Sequence, residues 1–246
     1  VFGHVWTNED MREKGAASHL NEVVINAFKS RGRALLLGTT YDTVPYKIYQ
    51  KYGFNGIEKE SGYMDYYSDS KAEFEDYFFA TDNLQMRPVG WLDWPTAPCL
   101  YLNSFPGVVR SMQMGIIGRS STEGGMLGLI KHNESNDDKL AWSLYNPQTG
   151  AVLATAGYRW HPLWPETLIL DFYSHPDCWE RCHDLIEKLK LPETTRLVAY
   201  SDFENPRKNR VLADLGFSEV AEFQNRVYKD TAKTVLVDVF EYEKRK

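Results

Sequence analysis

Residues 7–20 read TNEDMREKGAASHL, and here the spacing of apolar side chains changes period. Upstream, residues 1–6 (VFGHVW) alternate and are β-branched or aromatic, which predicts a strand. Downstream, Ala16, Leu20, Val23, Val24, Ala27 and Phe28 fall at helical spacing, so a helix is expected from Gly15. The joint is therefore strand, turn and helix, with a first helical turn that carries almost no side chains. A helix start exposes unpaired N–H groups and partial positive charge, a ready site for an anion. Gly15 and Ala16 let a phosphate come close to that backbone, and Arg12 and Lys14 add charge. Short Gly/Ala patterns also suit a tight turn that merely permits close packing, and this stretch alone fits either reading.

The chain has 246 residues and a formal charge of −6, enough length for one large domain or two smaller ones. Mild acidity gives no support for a nucleic-acid or membrane-surface partner. No apolar run approaches the roughly 20 residues needed to cross a bilayer, and no signal peptide is in view. Cys99, Cys178 and Cys182 are sparse and odd in number, which argues against a disulfide framework. A reducing compartment, the cytoplasm, is the expectation. Because residue 1 is Val and lies inside an expected strand, the first unit is expected to start late, with an open edge.

Two stretches match in spacing: RALLLGTTYDTVPYKIYQKYGF (33–54) and RLVAYSDFENPRKNRVLADLGF (196–217). Arg33 pairs with Arg196, Asp42 with Asn205, Ile48 with Val211 and Gly53–Phe54 with Gly216–Phe217, without a gap. Both glycines stand where a helix ends in a left-handed residue. Upstream, VWTNEDM (5–11) faces DFYSHPDC (171–178). Such self-similarity predicts two copies of one α/β unit. The expected organisation is a partial unit over 1–67, a linker and connecting helix over 68–82, and a complete unit over 83–246. The complete unit should hold a strand over 85–89, a helix capped by Asp93 with Pro95 in its first turn, and strands over 140–146 and 151–159 around the NPQTG turn. A strand over 167–173, a helix over 177–190, a strand over 196–200, a helix over 205–215 and strands over 218–228 and 233–242 follow.

The order strand, R-x-x-G-x-A, helix, strand, then a helix closing Y-x-K-Y-G-F resembles the GCN5-related N-acetyltransferase superfamily. The superfamily's pyrophosphate-loop pattern stands as Arg12-Glu13-Lys14-Gly15-Ala16-Ala17, and its Asn–apolar–Tyr helix as Asp42 to Phe54. The resemblance implies an α/β fold of two such units, each a mixed, mostly antiparallel sheet flanked by helices, the first lacking its front strands. It implies transfer of an acetyl group from acetyl-CoA to an amine on a small molecule or peptide, with no metal. Amides around Met11, Arg12, Glu13, Lys14, Gly15, Ala16 and Ala17 would bind the pyrophosphate. The strand edge at Val5, Trp6 and Thr7 would pair with the pantetheine arm and polarise the acetyl carbonyl. Tyr49, four residues before Gly53, falls where the family often has a general acid for the leaving thiolate; in a helix carrying Tyr41, Tyr46, Tyr49 and Tyr52 it also fits a packing role. Asp42 stands near the arm where asparagine is usual, Pro45 replaces a small residue, and Glu13 puts negative charge beside the phosphate site.

In the second copy the loop reads Pro176 to Cys182, with Trp179 at the Arg position, Cys182 at the Gly position and Leu212 in the place of Tyr49. Bulk there obstructs a phosphate, so the second unit is expected to have lost its coenzyme site and to shape the acceptor pocket or support the first unit. A reading from another class is a non-catalytic acyl-CoA-binding or protein-interaction module.

Other constellations weigh less. His175, Cys178, Cys182 and His183 include two zinc-capable thiols at i and i+4, but their histidines lack suitable spacing. The aromatic stretches WLDWP (91–95) and WHPLWPE (160–166) are expected to seal contacts. His161, Glu166 and Asp171 are candidate bases, and HNESNDDK (132–139) reads as a solvated turn.

Overall fold

The structure, a computed structural model, describes residues 6–244. The chain divides into two units, Val1–Tyr77 and Phe78–Lys246.

In the first unit a single 3-10 turn, Glu9–Met11, leads to α1 (Ala16–Lys29), followed by β1 (Ala34–Gly38), α2 (Val44–Lys51), β2 (Asn55–Gly56), β3 (Tyr63–Tyr67) and α3 (Lys71–Phe78), which runs to the division. Three antiparallel strands form a sheet in the order β1-β3-β2, with Leu36 opposite Asp65. Its core joins Ile25 of α1, Tyr46 and Tyr49 of α2, and Phe54, Met64 and Tyr66. Pro45 sits in the first turn of α2, where a missing N–H costs no helical bond. Gly53, at φ 93°, ends that helix and lets the Phe54 N–H return to the Tyr49 carbonyl at 3.2 Å.

Of the strand expected over residues 1–6, Val1–Val5 lie outside the described residues; Trp6 and Thr7 belong to no strand. One expectation changes here. In α1 the buried line is Asn21 and Ile25, flanked by half-buried Ala17, Val24 and Phe28, whereas Leu20 and Val23 are exposed. Successive residues turn by about 100° around a helix, so the line through Ala17 excludes Leu20 and places a polar side chain on the inner face.

In the second unit β4 (Gln85–Pro88), α4 (Ala97–Leu102), β5 (Val109–Ser111), β6 (Ile116–Ile117) and α5 (Glu123–Ser135) precede β7 (Ala141–Tyr145), β8 (Val152–Trp160) and β9 (Thr167–Ser174). A 3-10 stretch, Pro176–Arg181, then opens α6 (Cys182–Glu187), and β10 (Arg196–Asp202), α7 (Pro206–Asp214), β11 (Ser218–Tyr228) and β12 (Leu236–Lys244) complete the unit. The seven-stranded sheet runs β11-β12-β10-β9-β8-β7-β4, and β5 and β6 form a separate hairpin. Within it, the order β10-β12-β11 repeats the order β1-β3-β2 of the first unit, and α7 follows β10 as α2 follows β1.

Asp93 does not cap α4, since Thr96 holds that place. Its buried carboxylate instead meets Arg87 at 2.7 Å and accepts the Gly90 N–H at 2.8 Å, closing the turn before the helix. The helix expected over 177–190 is a 3-10 stretch followed by a short α6. His132–Ser135, read as a solvated turn, are the end of α5. There Asn133 donates to the Val89 and Ala141 carbonyls and accepts from the Leu140 N–H, tying the helix to the sheet.

The parallel pair β9–β10 stays in register only over Thr167–Ile169 and Arg196–Val198. Beyond that point residues 108–113 bridge the two strands. The Asp202 carboxylate accepts the Val108 and Val109 N–H groups at 2.8 and 2.7 Å. The Asp171 carboxylate accepts the Ser111 hydroxyl at 2.5 Å and the Met112 and Gln113 N–H groups at 3.0 and 3.1 Å. Lys208, 1% exposed, donates to the Val109 carbonyl at 3.2 Å. Burial lowers its pKa, and Asp171 and Asp202 act in the opposite direction. Charges so buried persist only when compensated. Lys208→Met should therefore cost about 3–5 kcal/mol of stability at neutral pH, read as a fall in the urea midpoint; an unchanged midpoint would show that Lys208 compensates neither carboxylate.

Candidate functional site

The first unit contains a cavity of about 830 Å³ between the start of α1, the end of β1 and α2. Its wall includes Trp6, Thr7, Met11, Arg12, Glu13, Gly15, Ala16, Ala17 and Tyr49. Residues selected from two separate stretches of sequence thus line one space. Lys14 and Asp42 are not among its lining residues: Lys14 Nζ lies 3.9 Å from Met11 Sδ, and Asp42, at φ 56°, pairs with Lys47 at 3.1 Å. Val5 lies outside the described residues.

Gly15 shapes the rim. It takes φ 79° and ψ 5° at the N-cap of α1, with no side-chain cap. A Cβ built there would meet nothing within 4 Å, so the glycine serves the left-handed turn rather than close packing. The first helical carbonyl bond runs from His19 N to Gly15 O at 3.0 Å, and among the described residues the Gly15, Ala16, Ala17 and Ser18 N–H groups have no partner. Those donors, with the helix dipole behind them, suit an anion. Arg12 is tethered by its Nε to the Thr7 carbonyl at 3.3 Å and lies 3.5 Å from Glu9, which fixes the guanidinium at the rim.

Deeper in, Tyr49 is buried, its ring edge-on to Phe54 at 5.6 Å between centroids. Burial raises its pKa above that of an ordinary phenol, so the hydroxyl keeps its proton across the neutral range. Asn21 also lines the cavity and is 2% exposed. Its Nδ2 donates to the Ala17 carbonyl at 2.9 Å, and its Oδ1 has no partner. Such a buried, unpaired acceptor costs about 1–3 kcal/mol. Sequence reading passed over Asn21, although a polar residue at i+4 from Ala17 and i−4 from Ile25 is a readable break in the inner face.

The second unit has a groove of about 630 Å³ in the corresponding place, lined by Pro176, Asp177, Trp179, Arg207, Val211 and Asp214 among others. In the gap-free match of the two repeats, Arg207, Val211 and Asp214 stand opposite Val44, Ile48 and Lys51 of the first cavity. Chemistry differs where the positions agree. Trp179 is buried edge-on against Phe172 and Tyr173, and the His175 ring caps the Asp177 N–H at 3.3 Å. Arg207 bonds the Pro176 carbonyl.

The other candidates have structural employment. Burial pushes the Cys178 and Cys182 thiols up to about 11 and about 12. Asp171 is saturated by the β5–β6 segment. Glu166 is exposed, and the Thr194 and Thr195 hydroxyls bond its backbone carbonyl rather than its carboxylate. His161 stacks on Trp164 at 3.9 Å and its Nδ1 accepts the Leu163 and Trp164 N–H groups. Trp91 Nε1 donates to Glu134 and Trp94 Nε1 to the Glu123 carbonyl, so the WLDWP stretch clamps both ends of α5.

No protein-family model matches the chain, and no curated protein matches it in sequence. Solved structures do match in fold. An acetyltransferase structure from Acinetobacter baylyi is 16% identical, with a TM-score of 0.50, covering 68% of this chain and 94% of that one. An N-acetyltransferase from Staphylococcus aureus is 17% identical at TM-score 0.49, covering 66% and 98%. An acetyltransferase from Salmonella typhimurium, solved with acetyl-CoA, is 15% identical at TM-score 0.48, covering 67% and 94%. At these identities the likeness is one of fold: the chain shares a mixed α/β fold with the Acinetobacter baylyi structure. A span of 68% exceeds what Val1–Tyr77 supplies, so the likeness takes in much of the second unit.

The left-handed turn makes a direct prediction. Gly15→Val should destabilise the first unit by about 1–2 kcal/mol through backbone strain alone, whereas Gly15→Asn should cost less, as measured by denaturant unfolding.

Proposed function

We propose that this protein is an acetyl-CoA-dependent N-acetyltransferase whose coenzyme lies in the cavity of the first unit. The observation that carries the reading is the cavity itself: the start of α1, whose first amides have no partner among the described residues, Arg12 and the buried Tyr49 line one space. Acetyl-CoA brings the activated acyl group. This chain's part is to bind the diphosphate on the amides of Gly15, Ala16 and Ala17, with Arg12 at the rim, and to hold the thioester near Tyr49. Trp6 and Thr7, which line the same cavity, would border the pantetheine arm.

Tyr49 serves as general acid. A phenol whose pKa is raised stays protonated, so it can donate to the sulfur as negative charge develops there. A neutral amine on a small molecule or peptide attacks the carbonyl directly, and positioning supplies much of the acceleration. The second unit is read as a repeat of the first that takes no coenzyme, because Trp179 and the His175 cap occupy the corresponding loop.

Calorimetry with CoA should give one site per chain. Arg12→Ala should weaken that binding severalfold and leave the fold intact. Tyr49→Phe should keep the Kd for CoA while thiol release from acetyl-CoA with an amine panel falls about a hundredfold. Tight binding with no thiol release for any amine would favour the non-catalytic acyl-CoA-binding module; absence of binding would remove both coenzyme readings.

A further inference from the structure

Among the described residues, the cavity wall carries a buried side-chain acceptor that the fold leaves unanswered. Asn21 Oδ1 is buried and has no partner there, on a side chain that lines the cavity. Its orientation is set, because Nδ2 donates to the Ala17 carbonyl at 2.9 Å and the flipped amide would place two acceptors face to face. The opening in the hydrogen bonding is therefore for a donor, an N–H or O–H of whatever fills the space. Asp42, the side chain expected beside the pantetheine arm, faces Lys47 and is not among the lining residues. Tyr49 Oη and Asn21 Oδ1 thus belong to the same wall, and Asp42 does not.

We infer that Asn21 is a coenzyme-binding residue, its Oδ1 accepting a hydrogen bond from the pantetheine arm in place of any contact with Asp42. This rests on the coenzyme reading above. Spacing is compatible with it. Asn21 lies five residues after Ala16, a backbone rise of about 7.5 Å, and its side chain reaches back to the Ala17 carbonyl, so Oδ1 lies within that rise of the amides assigned to the diphosphate. In the arm, the amide N–H nearest the diphosphate is separated from it by a stretch of bonds equal to two residues of backbone, about 7 Å when extended. An anion on the helix start and a donor at Asn21 can therefore belong to one molecule. The arm's N–H loses its water on entering the cavity and regains a partner there, while the asparagine regains one too.

The test compares CoA with 3′-phospho-ADP, which has the diphosphate and lacks the arm, by calorimetry on the full chain. Asn21→Leu should weaken CoA about five- to tenfold and leave 3′-phospho-ADP unchanged. The ligand-free variant should melt at the same temperature or higher, since a buried unpaired acceptor has been removed. Asn21→Ala should show the same selective loss and serves if the leucine variant fails to fold. Unchanged CoA affinity in folded variants, or an equal loss for both nucleotides, would overturn the assignment of Asn21 while leaving the coenzyme site standing. Failure of both nucleotides to bind the unaltered protein would overturn the coenzyme reading itself, and this inference with it.

Discussion

A helix that begins without a capping side chain leaves its first backbone donors unmet, and the first unit is organised around that constraint. Gly15 turns left-handed and offers no cap, and Gly15 through Ser18, whose amides have no partner among the described residues, line the cavity. These residues are exposed or half-buried, so water can reach their donors, and an anion would meet them with the helix dipole behind it. Asn21, one turn further in, extends the same imbalance with an acceptor. A ligand that answers both must carry negative charge at one end and a donor farther along.

The second unit meets the same geometry differently. Its strand order and the sequel of strand and helix match those of the first, yet the 3-10 stretch before α6 is capped by His175 at Asp177 and carries the buried Trp179. The divergence of β9 and β10 is likewise satisfied by the chain itself, as Asp171 and Asp202 hold residues 108–113 between them with Lys208 as the buried cation. In the second unit these carboxylates and the lysine are spent on its own core.

Much of this was legible along the chain. The change of period at Gly15, the glycines that end α2 and α7, the NPQTG hairpin and the matched spacing of 33–54 with 196–217 are local signals, carried by a few neighbouring residues each. They marked α1, β1, α2, β10, α7 and the β7–β8 hairpin, and with them the loop and helix that line the cavity. What escaped was non-local. The β5–β6 hairpin has little pattern of its own, because its amides are satisfied by two aspartates far away in sequence. Asp93, read as a helix cap, found a stronger partner in Arg87.

By itself the sequence determined the α/β succession, the bare start of α1 and the loss of small residues in the second loop, since these follow from side-chain volume, backbone freedom and periodicity. Tertiary structure alone decided which face of α1 turns inward, bringing Asn21 to the cavity and Leu20 to the surface. It also decided that Asp42 turns to Lys47 while Tyr49 is buried. Those outcomes depend on how the helices roll against the sheet, and a rotation of one residue exchanges an apolar wall for a polar one.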